Sequence, residues 1–394
     1  MRTILLGNPG NRRVQLFASA FHAIGQGELE IVSWLDYLRD RDALRRQLSP
    51  GCRLRIESSG EDFEVEKLLL YSGVLEAVQS GYRRFNPGEL ASLTFQKGRI
   101  LPLRQWYLGW KKILARIQAE VESTPGCKVM NHPRDIATMF DKARCHEVLG
   151  AAGVPVPRLL GLPGSYDELA ALMEGSGCRR VFLKPCHSSS ASGVIALERG
   201  PKGMQAFSPM ECVRKDGTSI LFNSLRVRRY TAGGEIKELV DAICRERCIA
   251  EAWFPKAGME GMRFDLRVLV IGGRSAHTVV RQSNGPFTNL HLGNRRGNLD
   301  EIIKKMGAES WAGAMSVCES AAAAFPPSLY VAVDLLVSPC MRRFAVAEVN
   351  AFGDLLPNLL HRGMDTYTAE LKAWRENPGH LAAEPEIIYD APVS

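Results

Sequence analysis

From Val181 to Phe352 the sequence is a succession of short β-rich runs: VFLKP, GVIALE, SILFNSLRVRRY, KELVDAICRE, FDLRVLVIGG, SAHTVVRQS, YVAVDLLVS and FAVAEVNAF. Turn signals such as TAGGE and GGR separate them. Runs of strand length bounded by Gly-rich turns specify hairpins, so this part of the chain is expected to be mostly antiparallel sheet. A different pattern precedes it. RTILLG (residues 2–7) reads as a strand, GNPGNRR as a turn, VQLFASAFHAIG as a helix ending at Gly25, and EIVSWLDYL as a second strand running into a helix. A βαβ-like start of this kind implies an α/β domain. Its turn lacks G-x-G-x-x-G; Gly7, Gly10, Arg12 and Arg13 suit either an anion at the following helix or a tight turn with solvated arginines.

Trp106 to Glu122 has helical period, with Trp106, Trp110, Ile113, Leu114 and Ile117 on one face, and STPG closes it. The N-terminal domain is therefore drawn over residues 1–128. A further helix is expected from Pro133 to Leu149, with Asn131 near its cap and GAAGVPVPR as its stop. The second domain is drawn over 129–379, and 380–394 as an irregular tail. There is no internal repeat.

Composition narrows the function classes. The 394 residues are 45% hydrophobic and 24% charged, a globular balance, and no apolar run approaches the ~20 residues that span a bilayer. The start, MRTILLGNPG, is too short in apolar residues for a signal peptide, so the cytoplasm is the default location and no membrane partner is expected. The net charge of +7 suits an anionic ligand, but no Lys/Arg block interleaved with aromatics marks a nucleic-acid surface. Ten cysteines are irregularly spaced; the close pair in CRERC, Cys244 and Cys248, has no second pair or histidine to make a zinc site, so buried free thiols are expected.

The last two β-runs carry the most chemistry. Glu348 and Asn350 are two apart on an apolar strand and leave it from one face, and Asp334 is the one polar residue within YVAVDLLV. If the SPCMRR turn sets 334 opposite 348, all three oxygen donors share a face. Buried acids need a compensating cation, and hard oxygen donors suit Mg²⁺; the alternative is a hairpin whose acids meet solvent, Arg342 or Arg343. In RFDLRVLVIGGRSAHTVVRQS, a three-residue GGR loop would pair 271 with 275 and 265 with 281. That register puts Leu266, Val268, Val270, Ala276, Thr278 and Val280 on one face, and Asp265, Arg267, His277 and Arg281 on the other. Arginines beside an acid on a partly apolar face suit polyphosphate; a surface ion-pair cluster is the competing reading, and His277 reads as structural. Lys184 ends the apolar run VFL, and Ser188, Ser189, Ser190, Ser192 and Gly193 follow in a loop whose N–H groups and hydroxyls can close over phosphate.

Taken in order, Asn131-x₉-Asp141-Lys142, GVPVP, Lys184 with its serine loop, AEAWFP, FDLRVLV, VVRQS, NLHLG, VDLL and EVN resemble the ATP-grasp superfamily over roughly residues 129–365. The resemblance implies a fold of α/β (α+β) class, an N-terminal Rossmann-like α/β domain followed by an ATP-grasp fold with mostly antiparallel sheets. Within it, a lid subdomain falls at about 153–250 and a metal-binding subdomain at about 251–365. ATP and Mg²⁺ are the implied cofactors, with Mn²⁺ as a substitute. Lys142 and Lys184 match the phosphate-binding lysines, and Ser188 to Gly193 the loop that folds over the phosphates. Glu251, Ala252 and Trp253 match the hinge that recognises adenine; Glu260 is the candidate for the ribose. Arg267 and Arg281 match the catalytic arginines, Asn289 and His291 a segment near the transferred group, and Asp334, Glu348 and Asn350 the metal ligands. The implied reaction activates a carboxylate as an acyl phosphate and joins it to an amine with release of ADP and phosphate. The wording is nearest to ligases acting on amino acids, peptides or proteins, so the expected partners are a carboxylate and an amine, peptidic or carrier-borne acids included; a homodimer is among the states the resemblance allows. A phosphotransferase and a non-catalytic nucleotide-binding scaffold are the rival expectations.

Overall fold

A computed structural model describes residues 2–25, 27–201, 203–215 and 218–376, so the expected irregular tail lies outside the described residues. The first sheet is parallel and has the order β2-β1-β3-β4, from β1 (Arg2–Gly7), β2 (Glu28–Ser33), β3 (Arg53–Ile56) and β4 (Lys128–Val129). Helices α1 (Arg12–Ile24), α2 (Trp34–Arg39), α3 (Phe63–Ser72), α4 (Val74–Ser80), α5 (Pro87–Ala91) and α6 (Leu103–Glu122) belong to this N-terminal part. Asn11 caps α1 by accepting from the Arg13 N–H. The predicted βαβ start is thus present, and β4, from beyond the STPG turn, completes its sheet.

The expected helix over 133–149 is two helices, α7 (Pro133–Phe140) and α8 (Lys142–Ala151). Asp141 breaks them: its extended backbone ends α7, and its carboxylate caps α8 by accepting from the Ala143 and Arg144 N–H groups. The α7 cap is His132, next to Asn131, whose amide donates to the Tyr330 carbonyl at 3.0 Å.

Two antiparallel sheets follow, as the β-rich pattern predicts. One has the order β5-β10-β6-β7-β8-β9, from β5 (Leu159–Gly161), β6 (Arg180–Pro185), β7 (Ile195–Gly200), β8 (Gly203–Lys215), β9 (Thr218–Tyr230) and β10 (Cys248–Ala252). Helices α9 (Tyr166–Gly175) and α10 (Gly233–Cys244) pack with it. KELVDAICRE, expected as a strand, lies in α10: Ile236, Leu239, Val240 and Ile243 are buried at helical spacing, and the TAGGE stretch opens the helix instead of turning a hairpin. The other sheet has the order β14-β13-β12-β15-β16, from β12 (Met262–Ile271), β13 (Arg274–Ser283), β14 (Arg295–Arg296), β15 (Tyr330–Val337) and β16 (Phe344–Asn350), with β11 (Gly258–Met259) paired to β12. Helices α11 (Leu299–Met306) and α12 (Ala308–Ala323) cover one of its faces, and α13 (Thr366–Glu376) packs beside α1. Leu266, Val268, Val270 and Val280 from this sheet share a core with Leu54, Trp110 and Ile117 of the N-terminal part. The ten cysteines are free thiols, Cys244 and Cys248 buried among them.

Candidate functional site

The third sheet supplies the charged floor. Asp334 lies opposite Glu348 across β15 and β16, and opposite Arg267 across β12; Asp265 lies opposite Arg281. The expected pairings of 334 with 348 and of 265 with 281 are therefore observed. The β12–β13 turn itself is shorter than expected: Ile271 pairs with Arg274 around Gly272 and Gly273, whose φ of 56° and 77° fit a two-residue turn, and a bulge between Val268 and Val270 restores the register. His277 sits in that bulged stretch, buried, with Nε2 2.8 Å from the Met364 carbonyl oxygen.

Arg267 grips Asp334 bidentately, Nε to Oδ1 at 2.8 Å and Nη2 to Oδ2 at 2.9 Å. Arg281 bridges two acids, Nε to Asp265 Oδ1 at 2.7 Å and Nη1 to Asp334 Oδ2 at 3.1 Å. Lys256 donates to Asp265 Oδ2 at 3.0 Å and to Thr288 Oγ1 at 2.8 Å. Burial opposes the charged Asp265, yet Arg281 and Lys256 hold it well below the ordinary carboxylate range. Asp334 is likewise lowered: Arg267 and Arg281 outweigh its burial. The buried acids do have compensating cations, as their position in apolar strands requires, but here these are guanidiniums from β12 and β13, not Arg342 or Arg343.

A second set of cations comes from the other sheet. Lys184 ends β6, and its Nζ is 2.7 Å from Glu251 Oε2; burial works against the ammonium, but Glu251, Glu348 and Asp334 raise its pKa above the ordinary value. Lys142, in the first turn of α8, donates to the Ser188 carbonyl and lies 3.8 Å from Glu348 Oε1. The loop between β6 and β7 is held by few bonds: Ser188 Oγ to the Pro185 carbonyl at 3.3 Å and the Ser192 N–H to the Ser189 carbonyl at 2.9 Å. Ser190 and Ala191 take φ of 53° and 59°, which costs non-glycine residues conformational energy. Gly193 has φ of 71°, and a Cβ there would meet Ile243 Cδ1 at 2.9 Å and Pro185 Cγ at 3.0 Å, so the loop returns to β7 through a point that only glycine fits.

Between the two sheets is a cleft of about 650 Å³, counting its solvent-open mouth. Of the residues singled out from the sequence, Lys184, Glu251, Ala252, Asp265, Arg281, Asn289, Asp334 and Glu348 line it, whereas Trp253 and Asn350 do not. Lys142 reaches its edge through Glu348, and Arg267 holds Asp334 from the side. Ser189 and Ser190 are exposed, Ser188 and Gly193 buried. The N–H groups of Ala252 and Trp253 are bonded to the Arg158 and Arg180 carbonyls at 2.8 and 2.9 Å. Glu260 is exposed, with Arg295 at 3.4 Å, and His291 is exposed on the short turn Leu290–Leu292. Glu260 is not a lining residue. Lys256 and Thr288, and the aromatic walls Phe182, Phe254 and Phe287, also line the cleft and are not among the residues expected from the sequence. FPKAG carries no periodicity that would have marked Lys256. The arginine of the GNPGNRR turn, Arg13, binds Asp354 at 2.6 Å beside Arg55, which is fully buried between Glu57, Asp354 and Glu370.

Asp334, Glu348 and Asn350 are the expected metal donors. Among the described residues no group of three or more His, Cys, Asp or Glu is arranged to hold a metal ion. The set here is two carboxylates and one amide. The Asn350 Nδ2 donates to the Ala332 carbonyl at 3.4 Å, which leaves its oxygen as the ligating end, and Glu348 is half-buried with Lys142 at 3.8 Å. Oxygen donors of this kind fit Mg²⁺ in type.

No family model matches the sequence, and no curated protein does. Solved structures do match the fold. The ATP-grasp ligase PsnB, complexed with a minimal precursor, is 14% identical over 95% of this chain and 98% of its own, with a TM-score of 0.51. The D-cycloserine synthetase DcsG is 12% identical over 95% of this chain and 99% of its own, with a TM-score of 0.51. N5-carboxyaminoimidazole synthase from Aspergillus clavatus, in complex with ADP and 5-aminoimidazole ribonucleotide, is 12% identical over 94% of this chain and 76% of its own, with a TM-score of 0.50. A parallel N-terminal sheet, two antiparallel sheets facing across a cation-lined cleft, and these likenesses agree with the motif order read from the sequence: the chain has the ATP-grasp fold.

Proposed function

We propose that this protein is an ATP- and Mg²⁺-dependent ligase that activates a carboxylate as an acyl phosphate and joins it to an amine. The observation that carries the reading is the cleft itself: Lys184, Lys256 and Arg281 converge with Asp334 and Glu348 at its charged end, while Phe182, Phe254, Phe287 and Leu336 line the rest. Aromatic walls beside three cations, with Glu251, Asp265, Asp334 and Glu348 among them, suit a purine base with a polyphosphate tail that is carried with a metal ion.

The base lies between the aromatic walls beside the hinge. With the Ala252 and Trp253 N–H groups already committed, the polar edge of the base meets the hinge carbonyls and the Phe254 backbone. Lys184 and Lys142 take the phosphates, exchanging Glu251 and the Ser188 carbonyl for phosphate oxygens, and Ser188 to Gly193 cover them and keep water out. Asp334, Glu348 and Asn350 would hold the metal, which would supply positive charge against the phosphates. A carboxylate oxygen of the acid attacks the γ-phosphorus and ADP leaves. The amine nitrogen then attacks the acyl carbon, phosphate leaves, and the nitrogen loses a proton to solvent. Arg267 and Arg281, fixed by Asp334 and Asp265, present guanidinium charge where the transferring phosphoryl group gathers negative charge; catalysis is positioning plus electrostatics. The acid is small, peptidic or carrier-borne; PsnB, of similar fold, was solved with a precursor, which supports testing peptides first.

The test is incubation with ATP, Mg²⁺, a panel of acidic peptides and small carboxylates, and hydroxylamine as the amine. Hydroxamate formed in step with ADP and phosphate supports the ligase. A phosphorylated product that hydroxylamine does not consume makes the protein a phosphotransferase. ATP bound without turnover across the panel leaves the scaffold reading.

A further inference from the structure

The stretch FQKGRILPLRQWYLGW takes no part in the cleft, yet it is tied to the sheet that carries Lys184. The Asn223 N–H donates to the Gly98 carbonyl at 2.7 Å and the Ile100 N–H to the Leu221 carbonyl at 2.8 Å, so residues 98–100 extend the sheet beyond β9. A few residues on, α6 places Arg104 and Tyr107 against His187, the residue that immediately precedes the serine loop. The His187 ring is stacked on Tyr107 with centroids 4.0 Å apart and planes 22° apart, and the Tyr107 hydroxyl is itself pinned to the Ala137 carbonyl at 3.1 Å. The His187 Nε2 is 3.2 Å from Asp141 Oδ2 and 3.2 Å from Arg104 Nη1. Asp141 in turn caps α8 and accepts from Arg247 Nη1 at 3.0 Å. His187, Arg104 and Tyr107 do not line the cleft.

We infer that His187 is a positioning residue for the phosphate end of the cleft, acting through the Ser188 carbonyl on Lys142, and that Arg104 and Tyr107 brace it from the N-terminal part of the chain. This rests on the nucleotide reading above. The chain of contacts is short. Lys142 is held at both ends by residues flanking His187: its N–H donates to the Cys186 carbonyl at 3.0 Å, and its ammonium to the Ser188 carbonyl. A shift of the imidazole therefore displaces both anchors of Lys142 and the root of the loop that follows. A buried imidazole costs free energy unless it is bonded, and an apolar residue would stack on Tyr107 as well; what histidine adds is the polar join between α6, the loop root and the α8 cap. A misplacement of about 1 Å at a phosphate site can cost as much as about 100-fold in transfer.

The experiment is titration calorimetry of ADP with the full chain, alongside thermal melts, for the wild type, His187→Ala, His187→Gln and Leu70→Ala. Glutamine keeps a polar head that can both donate to Asp141 and accept from Arg104. Leu70→Ala opens a cavity in a core cluster with Leu90 and Leu93, which contains no cleft residue, and serves as a destabilised control. The expected result is an affinity for ADP about tenfold weaker in His187→Ala, restored to within about threefold by His187→Gln, and unchanged in Leu70→Ala despite its lower Tm. His187→Ala binding ADP as tightly as the wild type would overturn the inference, as would Leu70→Ala losing affinity in step with its Tm. A wild type that binds no ADP would overturn the nucleotide reading itself, and that outcome is distinct from the other two.

Discussion

Asp334 and Glu348 face each other across one hairpin, yet substitution should affect them differently. Asp334 is bonded by two guanidiniums, one of them, Arg281, almost fully buried. Asp334→Ala strands Arg267, while Arg281 keeps Asp265, and should cost about 3 kcal/mol in urea unfolding, the low end for breaking a buried pair. Glu348 is half-buried, with Lys142 at 3.8 Å as its ion-pair partner and no hydrogen-bonded cation, so Glu348→Ala should change stability by about 1 kcal/mol or less while abolishing the Mg²⁺ dependence of ADP affinity. Retained Mg²⁺ dependence in that variant would remove Glu348 from the metal set. Asp135 offers a pH test away from the cleft. Burial pushes its carboxyl up to about 6, with Ser328 Oγ as its bonded neighbour at 2.8 Å. A carboxyl whose folded pKa is raised makes its favourable contribution at low pH and loses it as pH climbs from the ordinary value to about 6. Asp135→Asn should therefore gain about 2–3 kcal/mol at pH 8, and the gain should vanish as pH falls towards 4, measured by urea midpoints at both ends. At this scale the sequence was readable wherever an acid interrupts an apolar strand, because alternation fixes which face it takes. Lys256 was not readable, because it lies on a loop and only the fold brings it to Asp265.

Helix α6 illustrates what an element's pattern contains and what it hides. Its apolar face, Trp110, Ile113, Leu114 and Ile117, is buried as the helical period predicts. The same helix passes so close to α3 and α4 that a Cβ on Gly109 would lie 1.9 Å from the Leu69 carbonyl oxygen, and one on Gly73 2.1 Å from the Gln105 carbonyl oxygen. Backbone meets backbone there, so nothing flexible can give way. Gly109→Ala should destabilise by about 3 kcal/mol in urea unfolding despite the better helix propensity of alanine. In the sequence Gly109 is merely one residue of WYLGW. Helix α10 is a similar case. Ile236, Leu239, Val240 and Ile243 satisfy a helical period, but a stretch this short and apolar, set among hairpins, also reads as a strand, and packing against the neighbouring sheet decides it. The break at Asp141 is a further case, since a residue that caps one helix can end another only through the local backbone angle.

At the scale of the molecule, the cleft exists because two antiparallel sheets face each other, one bearing Lys184 and the serine loop, the other Asp334 and the arginines. A ligand that bridges them binds only the folded chain. ADP with Mg²⁺ at 100 times its Kd should therefore add about 2.7 kcal/mol to the unfolding free energy, seen as a concentration-dependent rise in Tm. A Tm indifferent to nucleotide at saturating concentration would argue against the site. The sequence by itself determined the antiparallel character of the β-rich region, the βαβ start, the register that sets Asp334 against Glu348 and Asp265 against Arg281, and the order of motifs that resembles an ATP-grasp chain. These are local or nearest-strand properties, fixed by side-chain alternation and turn chemistry. The tertiary structure alone decided that guanidiniums compensate the acids, that Lys256 joins them, that Glu260 stays outside, and that α6 reaches His187 from the N-terminal part. Each of these joins residues far apart in sequence, and such pairings follow from how sheets and helices pack together, which no window along the chain contains.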